Sequence, residues 1–235
     1  MAMWKRIGDA VEIAGGRFVG LMGWLGGLMS GIGDPQLRRQ VAFSVALIAL
    51  SAKMAKADGV VTSDEVAAFR SLFAVPASEE RAVTRLFEMA QRDVAGYRTY
   101  ANRIATLYGD DRQGLEDVLD GLFSIAKADG AVHHAELAYL EDVAAIFGFE
   151  GRDFERITLR HVVPREGDPY IILGADRGWP MTRIRARYHE LVAENHPDRL
   201  TARGVPVDFV AIATDRMAAI NGAYERIERE RTRRG

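Results

Sequence analysis

The chain of 235 residues contains no cysteine. That excludes a disulfide framework, a thiolate zinc site and a cysteine nucleophile, and it is compatible with a reducing compartment. A strong charge of either sign is also missing: 31 lysines and arginines face 33 acids, a net charge of −2. No basic excess points to nucleic acid as a partner. A glycine-rich phosphate loop, a nucleophile elbow and clustered histidines are lacking, so the sequence carries no signature of an enzyme, and no cofactor is expected. Long hydrophobic runs are scarce. Phe18 to Ile32 carries no charge, but it falls short of the ~17 residues that set the lower limit for a spanning helix. No Ala-x-Ala cleavage site follows it, so a removed signal peptide is not expected. What remains is ordinary folded-protein composition, 48% hydrophobic and 27% charged, enough for one large or two smaller domains.

Residues 1–35 form a glycine-rich segment. Gly23, Gly27 and Gly31 make a small-xxx-small ladder, and Gly16 and Gly20 continue it offset by one residue. In lipid such a ladder lets two helix backbones approach closely, whereas in water this glycine density disfavours an isolated helix. Two readings stay open: an inner-membrane anchor with homodimerisation through the ladder, or a flexible or self-packing amphipathic segment. Arg38 and Arg39 suit a cytoplasmic flank, and Lys5 and Arg6 compete for that side. The expected localisation is cytoplasmic, tethered to the cytoplasmic face of the inner membrane on the anchor reading.

Residues 36–150 read as all helix and contain a repeat. Ala55-Lys56-Ala57-Asp58-Gly59-Val60-Val61 recurs as Ala126-Lys127-Ala128-Asp129-Gly130-Ala131-Val132. Each copy follows an apolar helical run and precedes another helix, the pattern of a helix–turn–helix joint in which glycine supplies the C-terminal cap. Thr62 with Glu65 fits a capping box. These residues resemble the TerB-like domain, a helical module of tellurite-resistance proteins also attached to some chaperone cofactors. Asp58, Glu65, Asp129 and Glu136 match acidic positions of that family. They form a candidate divalent-metal set, since hard cations favour clustered carboxylates. The competing reading gives the aspartates to turns and the glutamates to helix starts. His133 and His134 have no third ligand at suitable spacing and read as surface residues.

Residues 151–167 form a charged connector holding Pro164 and Gly167, read as a linker. From 168 to 235 three helices are expected. Asp168 caps a short one with Pro169 in its first turn. Met181, Ile184, Tyr188 and Leu191 give a second its apolar face, and Val210, Thr214, Met217, Ile220, Tyr224 and Ile227 do so for a third. The two longer faces must bury each other in an antiparallel hairpin, joined by a loop from Asn195 to Pro206. Pro197 disfavours helical geometry at His196 and lacks an amide donor, so the second helix ends there and His196 and Asp198 project from a stiff corner.

Asp168-Pro169-Tyr170, Leu173-Gly174, Ile184-Arg185, Tyr188, His196-Pro197-Asp198-Arg199 and Ile220-Asn221 with Ala223-Tyr224-Glu225 together resemble the J-domain of DnaJ-like co-chaperones. The order of glycine-rich segment, TerB-like domain and J-domain resembles co-chaperones of the DjlA type. The resemblance implies docking onto a DnaK-type chaperone and stimulation of its ATP hydrolysis. His196, Pro197 and Asp198 would form the trigger, with Asp198 pairing a chaperone arginine, and Arg185, Tyr188 and Arg199 would make further contacts. The chain departs from the pattern at Glu190 and Glu194, which stand where cations are common. No Gly/Phe-rich linker is present, so direct binding of unfolded clients is not expected. The reading is therefore an all-α, non-enzymatic co-chaperone. The alternative makes the TerB-like domain a sensor of metal or envelope stress, with the J-domain as its output.

Overall fold

A helix that is apolar on every face has to lie inside a bundle. Val41 to Leu50 is such a stretch, and in the computed structural model it forms the middle of the long helix Pro35–Ala57 with every residue buried. The structure describes residues 2–13, 27–28, 30–57, 75–92, 96–127, 132–162, 167–203, 205 and 210–234. Every regular element among them is an α-helix, as expected. In chain order these are α1 (Ala2–Ile13), α2 (Pro35–Ala57), α3 (Glu80–Arg92), α4 (Tyr97–Tyr108), α5 (Arg112–Ala126), α6 (His134–Ile146), α7 (Arg152–His161), α8 (Pro169–Leu173), α9 (Met181–Glu194), α10 (Pro197–Arg203) and α11 (Val210–Arg234).

Helix α2 is the hub, with α1, α3, α4, α5 and α6 packed around it. Its buried hydroxyls bond along their own helix, Ser44 to Gln40 O at 3.0 Å and Ser51 to Leu47 O at 2.6 Å. Tyr139 of α6 donates to Leu50 O of α2 at 2.8 Å, tying the second half of the bundle to the hub. Asp111 caps α5 by accepting from Gly114 N at 3.0 Å.

Helix α1 buries Met3, Trp4, Ile7 and Val11 against α2 and α3. The uncharged run 18–32 is thus flanked by two helices on the same body. Among the described residues no helix is long and apolar enough to cross a membrane. Gly27 and Gly31 are exposed, and Gly23 lies outside the described residues.

The stretch 151–167 is not a plain linker. It contains α7, whose Ile157 joins the main core and whose Arg160 and His161 are buried. Arg112 holds its start, donating to Gly148 O at 2.9 Å and pairing with Asp153 at 2.5 Å. The high charge suggested a solvated connector, whereas the charges on its inner face meet carboxylates of α5.

The hairpin has its own small core of Tyr170, Ile172, Leu173, Ile184, Leu191, Ile220, Ala223, Tyr224 and Ile227. Met181, Tyr188 and Met217 flank it half-buried, while Thr214, expected on the same face, is exposed. In α8, Asp168 accepts from Tyr170 N at 2.9 Å. Gly174 closes the helix at φ +62°, a left-handed position that favours glycine, with Ala175 N reaching back to Tyr170 O at 2.8 Å. The expected Asn195–Pro206 loop is a second correction. Much of it is α10, which Pro197 opens because its fixed φ and missing N–H suit a first helical position.

Candidate functional site

The corner between α9 and α10 is built from Asn195 outward. The Asn195 side chain is buried, donating Nδ2 to Leu191 O at 2.7 Å and accepting from Arg216 Nη1 of α11 at 2.6 Å. One residue on, His196 turns outward with 59% of its side chain exposed, and Asp198 shows 92%. The His196 carbonyl accepts from Arg199 N and Leu200 N at 2.9 and 3.1 Å, and its ring Nδ1 accepts from Asp198 N at 3.2 Å. Leu200 and Val205 insert into the main core. The corner therefore presents an imidazole and a carboxylate on a rigid base, with Arg199 exposed beside them.

Arg185 and Tyr188, also predicted for this site, mainly bind α9 to α11. Tyr188 stacks on Tyr224 with ring centres 4.2 Å apart and hydrogen-bonds Asn221 at 3.1 Å. Arg185 donates to the Tyr224 hydroxyl at 3.2 Å and lies 3.7 Å from Glu228. Burial pushes the Tyr224 hydroxyl up, Arg185 opposes and Glu228 adds to the rise. The guanidinium of Arg185 stays exposed at the edge of α9. On the other flank Arg187 pairs with Glu190 at 3.2 Å and lies 4.0 Å from Glu194, while Arg183 covers the Trp179 ring at 3.8 Å. The two glutamates thus partly spend Arg187 within the chain.

Behind the corner lies a buried charge cluster that sequence reasoning missed. Glu116, Asp117 and Asp120 of α5 meet Arg156, Arg160 and His161 of α7 and Arg216 of α11. Arg156 grips Glu116 through two contacts of 2.9 Å. Arg160 bridges Glu116 at 2.6 Å and Asp120 at 3.3 Å, and His161 Nε2 meets Asp120 at 2.7 Å. Arg216 sits 2.8 Å from Asp117 and also pairs with Asp120. Burial alone would push the Glu116 and Asp120 carboxyls up. The cations override it, Arg160 and Arg156 for Glu116 and Arg160, Arg216 and His161 for Asp120, so both end far below the ordinary carboxylate range. Burial holds His161 below its ordinary value despite Asp120. The available signal was three acids spaced along an otherwise apolar helix.

Of the four candidate metal residues only Glu136 lies among the described residues. Glu136 is buried and accepts from His133 N at 2.9 Å, a helix-capping contact. Asp58, Glu65 and Asp129 lie outside the described residues. Among the described residues no group of three or more acids and histidines has the arrangement of a metal site.

A helical bundle carrying a short helical hairpin, with an exposed His-Pro-Asp corner between the hairpin's helices, is the arrangement the resemblance to J-type co-chaperones implies. Comparison with known proteins agrees. Residues 44–159 match the family model of the tellurite resistance protein TerB. The chain is 25% identical to the co-chaperone protein DjlA of Vibrio vulnificus over 86% of its own length and 82% of that protein. It is 24% identical to that of Vibrio cholerae over the same shares, and 26% to that of Coxiella burnetii over 76% and 74%. No solved structure matches the chain. The chain is thus similar to co-chaperones of the DjlA type over most of its length and to TerB over its middle.

Proposed function

We propose that this protein stimulates ATP hydrolysis by a DnaK-type chaperone and performs no chemistry itself. The observation that carries the reading is the His196-Pro197-Asp198 corner, solvent-facing on a base fixed by buried Asn195 and Leu200. Exposed charges on such a corner steer and register a partner. Asp198 offers a carboxylate for a chaperone arginine, and Arg199 and the Arg185 edge flank it. The chaperone's ATPase should accelerate on adding this protein, and His196→Gln should lower that stimulation by roughly tenfold or more. Equal stimulation by both proteins would overturn the role of the corner.

The same reading places the protein in the cytoplasm, held at the cytoplasmic face of the inner membrane by the run 18–32. The attachment would lie in the interface without crossing, which agrees with α1 and α2 flanking the run on one body. Gly27 and Gly31, both exposed, would be open to a second copy there.

A further inference from the structure

Helix α5 is the strangest element of the bundle. Leu115, Val118, Leu119, Leu122 and Phe123 make it a core helix, yet Asp117 and Asp120 are as buried as they are. Buried carboxylates persist where cations answer them. Asp117 and Asp120 are answered partly from the hairpin, by Arg216, whose side chain is 5% exposed. The same guanidinium reaches Asn195, the residue before His196, at 2.6 Å. One planar group thus joins two carboxylates of the TerB-like bundle to the base of the corner, a geometry suited to the fixed donor fork of arginine. Two further contacts point the same way. Leu200 and Val205, just after the corner, are buried in the bundle's core, and Lys127 pairs with Asp215 at 3.0 Å at the rim.

We propose that Arg216 is a positioning residue for the His196-Pro197-Asp198 corner, and that the TerB-like domain, through Asp117 and Asp120, forms part of the trigger's support. The proposal rests on reading the corner as the chaperone trigger. In this arrangement the bundle holds the orientation at which His196 and Asp198 face a chaperone. Arg216 touches no partner and acts through Asn195.

The test uses the full chain and amide hydrogen exchange at Arg199 and Leu200, whose N–H groups bond the His196 carbonyl. Three variants separate the roles. Asn195→Ala cuts the link to the corner and leaves the ion cluster intact. Arg216→Lys keeps a charge beside Asp117 and Asp120 but cannot reach Asn195 with a second donor. Arg216→Met combined with Asp117→Asn removes the hairpin's cation together with one carboxylate it answers, while Asp120 keeps Arg160 and His161. In each folded variant, exchange at Arg199 and Leu200 should accelerate at least about tenfold while amides in the middle of α2 keep their protection. The concentration giving half-maximal ATPase stimulation should rise several-fold, with the maximum reduced less. Unchanged exchange at the corner in the folded variants overturns the proposal. Should all three fail to fold, the unaltered protein decides: corner amides exchanging as slowly as those of α5 support the proposal, and rapid exchange there overturns it. Equal stimulation by the unaltered protein and His196→Gln would sink the trigger reading, while the exchange result would still judge Arg216.

Discussion

Asp120 has no exposed side-chain surface and meets two arginines and His161 from two different helices. Replacing it with asparagine keeps its shape and removes its charge, leaving Arg160 and His161 buried beside a neutral amide. Breaking a buried pair from one side is costly, so Asp120→Asn should destabilise the protein by about 3 kcal/mol in urea unfolding. Arg92→Ala is the control, because its pairing with Glu88 is at 3.7 Å with 81% of the arginine side chain exposed. No change in midpoint is expected there, and equal effects of the two substitutions would contradict the weight given to burial. The corner was legible at this scale from His196, Pro197 and Asp198 alone, since proline acts through its own ring. The partners of Arg185 and Tyr188 were not, because they lie across the hairpin at Tyr224, Glu228 and Asn221 and local spacing does not reveal them.

At the scale of elements, apolar periodicity identified α2, α9 and α11, where one face or every face is hydrophobic over many turns. It failed for α7 and α10. Helix α7 is rich in charge, so periodicity had little apolar contrast to read, and its arginines turned inward to α5. Helix α10 is short, and its helicity rests on Pro197 at the first position with Leu200 held in a distant core. Helix α1 packs the start of the segment 1–35 onto the bundle. Deleting residues 1–33 would strip Met3, Trp4, Ile7 and Val11 from the core, so membrane attachment is better tested inside the run. Leu21→Asp with Leu25→Asp should move the full-length protein from the membrane to the soluble fraction while its thermal transition stays in place. Retention in the membrane fraction would remove the run as the tether.

For the whole molecule, the ion cluster makes the junction between bundle and hairpin acid-sensitive, and the sign can be worked out. Glu116 and Asp120 stay ionised in the folded chain below their ordinary values of 4.5 and 3.8, whereas the unfolded chain takes up protons there. Their stabilisation is present above those values and is lost as pH falls through and below them. His161 is held below its ordinary value of 6.5, so the unfolded chain also binds the extra proton first on acidification below that point. Both effects act in one direction. The urea midpoint should fall gently below about pH 6.5 through His161 and then steeply below about pH 4.5 through the carboxylates. A midpoint that rises on that acidification would contradict the assignment of these groups as the buried cluster.

The sequence by itself determined the all-helical class, the hub helix, the hairpin and the chemistry of its corner, because each rests on interactions within a few residues: apolar period, a cap, a proline ring. Tertiary structure alone decided what stands behind the corner. Arg216, Asp117, Asp120 and Asn195 are scattered over about a hundred positions of the chain, and the acids along apolar α5 give no hint of their partners. Burial, which brings them within hydrogen-bonding reach and removes the water between them, turns four ordinary polar residues into the support of the site.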